Sequence, residues 1–215
     1  MDEKNYTFRD YRKTDYARCE SLVSNAWEFD RNFPPRGLAN VAKRLYTMGS
    51  VLNSNYFRVV ETDGDVAGFL FGLNEKSTLP RKLPVIAFGL GILGRLLLLR
   101  GVRFEEKKRL LNAINTHTAN RLKLVKPGRS EITLFVIDPR HQGVGNGKHL
   151  LTEFIAHCKA SGVETIVVET NTEGASTFYE GMGFNLIGYF DSPLHQYAAK
   201  EGKACIYEYK CSNHK

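Results

Sequence analysis

Chemistry is first readable in the stretch V-I-D-P-R-H-Q-G-V-G-N-G-K over 136–148, where a β-rich run gives way to a helical pattern. Three glycines alternate there, at Gly143, Gly145 and Gly147. A turn of this kind aims several backbone N–H groups at one point in front of the positive end of a helix, so the stretch predicts an anion site. Two familiar phosphate loops fail on spacing. A Walker loop requires Gly five residues before Gly147 and Ser or Thr after Lys148, where this chain has Gln142 and His149. A dinucleotide fingerprint requires G-x-G-x-x-G, whereas the chain has G-x-G-x-G. ATP, GTP and dinucleotides are therefore disfavoured.

The segment resembles the acyl-CoA signature of the GNAT superfamily of N-acetyltransferases: Gln or Arg, two residues, Gly, one residue, then Gly or Ala. Gln142, Gly145 and Gly147 match it, after a strand ending in Asp138-Pro139. About 30 residues downstream, T-E-G-A-S-T-F-Y-E-G-M-G-F is similar to the superfamily's second hallmark, with Ala175, Phe178, Tyr179, Gly183 and Phe184 in place. Thr172 stands where Asn is usual, and Asn171 lies one residue earlier.

The resemblance implies a mixed α/β fold whose mostly antiparallel central sheet has two splayed strands and flanking helices. It implies acetyl-CoA as co-substrate, with the pantetheine arm along Phe135, Val136 and Ile137 and the pyrophosphate on the amides of Gln142, Gly143, Val144, Gly145, Asn146 and Gly147. Lys148, Asn171, Thr172, Ala175 and Phe178 complete that cofactor set. Glycine suits such a loop because a Cβ would hold the backbone away from phosphate oxygens. The implied reaction is direct attack of a primary amine on the thioester. An amine of pKa ~10.4 must first lose a proton, and a thiolate of pKa ~8.5 leaves more easily beside a donor. Tyr179 occupies the superfamily's donor position. For the base, Glu131, Asp138, Glu169 and Glu173 are candidates at strand ends, with water as the alternative. His141 and His149 flank the glycine loop and read as surface groups rather than catalysts. A non-catalytic acyl-CoA-binding module and a transferase of longer acyl chains are the competing functions. The acceptor, a small molecule or a peptide amine, is not named by any residue.

Periodicity supplies the elements that must hold these residues. Strands are expected at 6–11, 56–61, 66–73, 131–137, 164–170, 184–190 and 203–210. Asp63-Gly64 is expected to turn a tight hairpin between the second and third. Helices are expected at 16–27, with Cys19, Leu22, Val23, Ala26 and Trp27 on one face, at 38–48 closed by Gly49, at 147–160 and at 175–181. The 215 residues, 42% hydrophobic and 25% charged, suit one domain around a single core.

The stretch 76–128 interrupts the alternation and reads as an insertion. It carries 12 Lys+Arg against 2 Asp+Glu, a net +10, while the rest of the chain holds 18 against 21. All the basic excess sits there. Its apolar run at 83–99 contains Arg95 and is short of the ~20 apolar residues that a spanning helix needs, so no transmembrane segment is expected. That run has three readings: a core or homodimer contact, a lid over an acceptor pocket, or a helix lying in a membrane interface. The charges lack aromatic interleaving, which argues against nucleic acid. Cys19, Cys158, Cys205 and Cys211 form no C-x-x-C pair and no zinc spacing, so reduced thiols and no metal are expected. The opening Met-Asp-Glu-Lys is not a secretory signal, and a cytoplasmic location is expected.

Overall fold

The computed structural model describes residues 5–173, 175–194 and 203–211. Seven strands, β1 (Thr7–Asp10), β2 (Tyr56–Thr62), β3 (Asp65–Leu73), β4 (Glu131–Ile137), β5 (Thr165–Asn171), β6 (Asn185–Phe190) and β7 (Ala204–Lys210), form one sheet in the order β1-β2-β3-β4-β5-β7-β6. Every pairing is antiparallel except β4 with β5. The β2–β3 turn has Asp63 at φ 52° and Gly64 at φ 76°, the two left-handed residues that a two-residue hairpin needs.

Helices α1 (Tyr16–Ala26), α2 (Phe29–Asn32) and α3 (Arg36–Leu52) cover one face of the sheet with α5 (Phe104–Arg121), burying Leu22, Val23, Phe29, Ala39 and Leu110 against Val59, Phe69, Phe71 and Leu134. Helices α6 (Asn146–Ala160) and α7 (Ser176–Gly181) cover the other, where Leu150, Leu151, Phe154 and Cys158 meet Leu70, Ile132, Ile166 and Val168. The α6 residues recur at the spacing of one helical face, so the same periodicity that makes the helix also seats it. Gly72 makes this seat possible, because a Cβ there would lie 2.5 Å from the Phe154 ring. Arg58 of β2 adds a two-pronged contact to Glu153 of α6, at 3.1 and 3.0 Å.

Two expectations are corrected. Gly49 does not end a helix: α3 runs to Leu52, and a Cβ on Gly49 would stand in ordinary contact with Phe88 of α4 (Lys82–Leu98), 3.9 Å from its ring edge. Ala26 is exposed rather than on the core face, because α1 ends there and the chain turns at Trp27. All four cysteines are free and buried.

The pairing of β4 with β5 positions the site. It consists of Glu131 with Val167 and Ile132 with Val168 only, after which the strands part while both continue. From Thr133 onward, the β4 edge that would face β5 has no ladder partner.

Candidate active site

The loop after β4 is built from its own polar side chains. Asp138 accepts the Arg140 N–H at 3.0 Å and opens a 3-10 turn over Pro139–His141, where proline's fixed φ is at home. Arg140 at 2.7 Å and Arg18 at 3.0 Å clamp the same carboxylate. The Arg140 hydrogen bond, with Arg18 behind it, holds Asp138 far below the usual carboxylate range. Gly143 and Gly145 take φ of 78° and 90°, a region in which a side chain is strained. The buried Asn146 amide donates to His141 O at 3.0 Å and pins the loop to the start of α6.

Within α6, the first N–H to reach a carbonyl is that of His149, to Gly145 O at 2.9 Å. The amides of Asn146, Gly147 and Lys148 precede it, at the positive end of a 15-residue helix. Val144 is 60% exposed above them, so the cradle opens outward. Gln142 turns its side-chain amide to Ile137 O at 3.0 Å, which ties the loop to β4 and occupies that carbonyl.

One residue sits differently from expectation: His141 is buried, not a surface group, with Nδ1 3.1 Å from Tyr6 hydroxyl. His149 is exposed, as expected, and stacks on Phe8 at 3.7 Å between ring centroids. Both fasten β1 to the loop and α6.

Below the cradle, Phe135 and Ile137 of β4 and Phe178 of α7 surround Gly147. A Cβ there would stand 3.5, 3.7 and 3.7 Å from them, in ordinary contact. At the end of β5, Asn171 Oδ1 is buried and has no hydrogen-bond partner among the described residues. An acceptor so placed loses its hydration without replacement unless something donates to it. Thr172 is already engaged: its hydroxyl accepts from the Lys203 N–H at 3.1 Å, and its N–H and carbonyl bond to Lys203 O and the Ser176 hydroxyl. Ala175 caps α7.

Tyr179 is 4% exposed, held edge-on between Phe178 and Phe184. Its hydroxyl makes no hydrogen bond to any described residue, and burial pushes its pKa well above the ordinary phenol value. It is therefore a standing proton donor at neutral pH.

The carboxylates separate into different roles. Asp138 is clamped, and Glu173 is exposed. Glu131 and Glu169 share Arg121 of α5: its guanidinium bonds Glu131 and meets Glu169 Oε2 at 2.9 Å. Burial raises the Glu131 pKa against that guanidinium's pull. His117, one helical turn before Arg121, points Nε2 to Glu169 at 3.7 Å and Nδ1 to the Ser192 hydroxyl at 2.8 Å. Glu169 is the first β5 residue beyond the last β4–β5 pair, so the cluster stands where the strands part. Sequence reading missed His117. The one available signal was its i, i+4 spacing to Arg121, which says the two share a face but not which face.

A parted β4–β5 pair, an open amide cradle and a buried phenol are the features this site brings together. The model of the Acetyltransferase (GNAT) domain matches residues 102–189, from just before α5 into β6. Residues 102–189 of the chain are thus similar to that domain. Solved structures share the fold: SsHAT at 17% identity and TM-score 0.63, covering 97% of this chain and 100% of its own; PH1933 from Pyrococcus horikoshii at 15% and 0.58, covering 97% and 99%; and yncA from Salmonella typhimurium, solved with its cofactor acetyl-CoA, at 14% and 0.51, covering 97% and 95%. No curated protein matches the chain by sequence.

Proposed function

We propose that this protein transfers an acetyl group from acetyl-CoA to a primary amine. The observation that carries the reading is a set of hydrogen-bonding groups left unfilled among the described residues, on elements that flank the parted β4–β5 edge: the amides of 146–148, Asn171 Oδ1 and the Tyr179 hydroxyl. The cradle accepts the diphosphate, the free β4 edge at Phe135 and Val136 takes the pantetheine amides, and Asn171 accepts a donor from the same arm. The yncA structure, which holds acetyl-CoA on the same fold, supports this placement.

In the reaction the amine nitrogen bonds the acetyl carbon, the carbon–sulfur bond breaks, and the sulfur takes a proton. Tyr179 supplies that proton. The acceptor approaches from the α5 side, past the cluster of Glu131, Arg121 and Glu169 where the two strands part. His117, oriented by Ser192 and Glu169, takes up the amine's proton.

The test is a panel of amines (amino acids, polyamines, aminoglycosides, peptide N-termini) with acetyl-CoA and a thiol reagent. Thiol release with at least one class is expected, and it should fall in His117→Gln. Coenzyme binding without release from any class would leave a non-catalytic module. No coenzyme binding by calorimetry would remove the cleft assignment altogether.

A further inference from the structure

We propose that the outer face of α4 docks the protein on an anionic membrane surface. Helix α4 is apolar on two opposite sides. Ile92 and Leu96 are buried on the inner one, which also carries Phe88 against Gly49 of α3. About half a helical turn away, Leu83, Ile86, Leu90, Leu93 and Leu97 form a continuous row at 3-4-3-4 spacing. They are 80, 57, 65, 37 and 50% exposed. Leu98 and Phe104, at 83 and 68%, extend the face towards α5. The face is held out firmly, because the buried Lys107 of α5 donates to Leu97 O and Leu99 O, both at 2.7 Å, and caps the end of α4. A contiguous apolar surface of this kind marks an interaction site.

Charge identifies the occupant. Lys76, Arg81, Lys82, Arg95, Arg100 and Arg103 are all exposed along the same stretch, and no Asp or Glu occurs between Glu75 and Glu105. The row's spacing would also suit a partner helix, and a second copy of this chain is the obvious one. Two copies would bring two stretches of net positive charge together, since no acidic residue between Glu75 and Glu105 is there to pair with them. A bilayer surface with anionic headgroups meets both demands: leucines enter the acyl boundary, and the long basic side chains reach back to phosphates. No helix among the described residues is long and apolar enough to cross a membrane, so α4 lies on the surface.

The experiment is sedimentation of the full-length protein with phosphatidylcholine vesicles made with and without phosphatidylglycerol, at low and high salt. Binding is expected to the anionic vesicles, at least about tenfold stronger than to the neutral ones and weakened by salt. Leu90→Glu alters a side chain exposed to solvent, so circular dichroism should be unchanged while vesicle affinity falls about tenfold or more. Lys82→Glu, one turn before Ile86 on the flank of the row, should lower affinity for anionic vesicles while leaving the weak binding to neutral ones in place. Equal binding to both vesicle types, or no loss in Leu90→Glu, would overturn the proposal. So would a lipid-free dimer, seen by analytical ultracentrifugation, that Leu90→Glu converts to monomer, since the face would then belong to a second copy.

Discussion

Tyr179 and Asp138 are both buried at the site, and the surroundings push their proton equilibria in opposite directions. Tyr179 is buried in the apolar core beside Phe178 and Phe184, so desolvation keeps its proton on. Removing the hydroxyl removes the donor and little else, because no hydrogen bond within the described chain depends on it. Tyr179→Phe should lower kcat about 10²-fold with KM for acetyl-CoA nearly unchanged, measured by steady-state thiol release. A proportionate rise in KM with kcat intact would make Tyr179 a binding residue only. Asp138, by contrast, stays ionised because Arg140 and Arg18 both bond it. Its folded pKa lies below the unfolded value of about 3.9, so its contribution to stability is complete above that pH and is lost as pH falls towards the folded value. Asp138→Asn should cost about 2 kcal/mol at pH 7, with the gap to the parent narrowing below about pH 4 in urea unfolding. A gap that stays constant through that range would show that shape, not charge, matters there.

The elements differ in how completely they declare themselves. Helix α6 and strand β4 could be bounded almost to the residue from sequence, because Asp138-Pro139, the alternating glycines and Gly162 punctuate them and their apolar spacing is strict. Helix α3 was cut short at Gly49 because a glycine in a helix reads as a stop. The helix continues past it because α3 packs against α1 and α4, tertiary contacts invisible along the chain. The same blindness hid His117 and the burial of His141, whose roles depend on α5 reaching β5 and on β1 reaching the loop. In α6 the loop glycines are separable. Gly145 stands at φ 90°, where valine would strain the backbone, so Gly145→Val would confound binding with folding. Gly147 has helical geometry, and a Cβ on it meets Phe135, Ile137 and Phe178 at ordinary distances. Gly147→Ala should therefore leave thermal stability unchanged or slightly higher, yet weaken acetyl-CoA about tenfold by filling the cleft floor, as calorimetry would report. Unchanged affinity would mean that the cleft does not pass Gly147.

At the scale of the whole molecule, the glycine loop and the aromatic pair that the sequence singles out do meet in the structure, where Phe178 contacts Gly147, whereas the charge segregation was legible as a sum without a direction. The net +10 of 76–128 divides in the structure between Arg121, turned inward on Glu131 and Glu169, and the cations that border the outer face of α4. One part of the molecule therefore answers to coenzyme and the other does not. Any ligand that binds only the folded state stabilises it by RT ln(1 + [L]/Kd), about 2.7 kcal/mol at a hundredfold excess over Kd. For a chain of 215 residues each kcal/mol moves Tm by roughly 2–4 °C, so acetyl-CoA at that excess should raise Tm by about 5–10 °C. The rise should shrink in Gly147→Ala, whose loss lies in the cleft, and persist in full in Leu90→Glu, whose loss lies on the outer face of α4. A differential scanning measurement on the three proteins decides this. A shift abolished by Leu90→Glu would mean that α4 helps hold the coenzyme and that the two parts are one site; no shift in the parent protein would leave the cradle without its ligand.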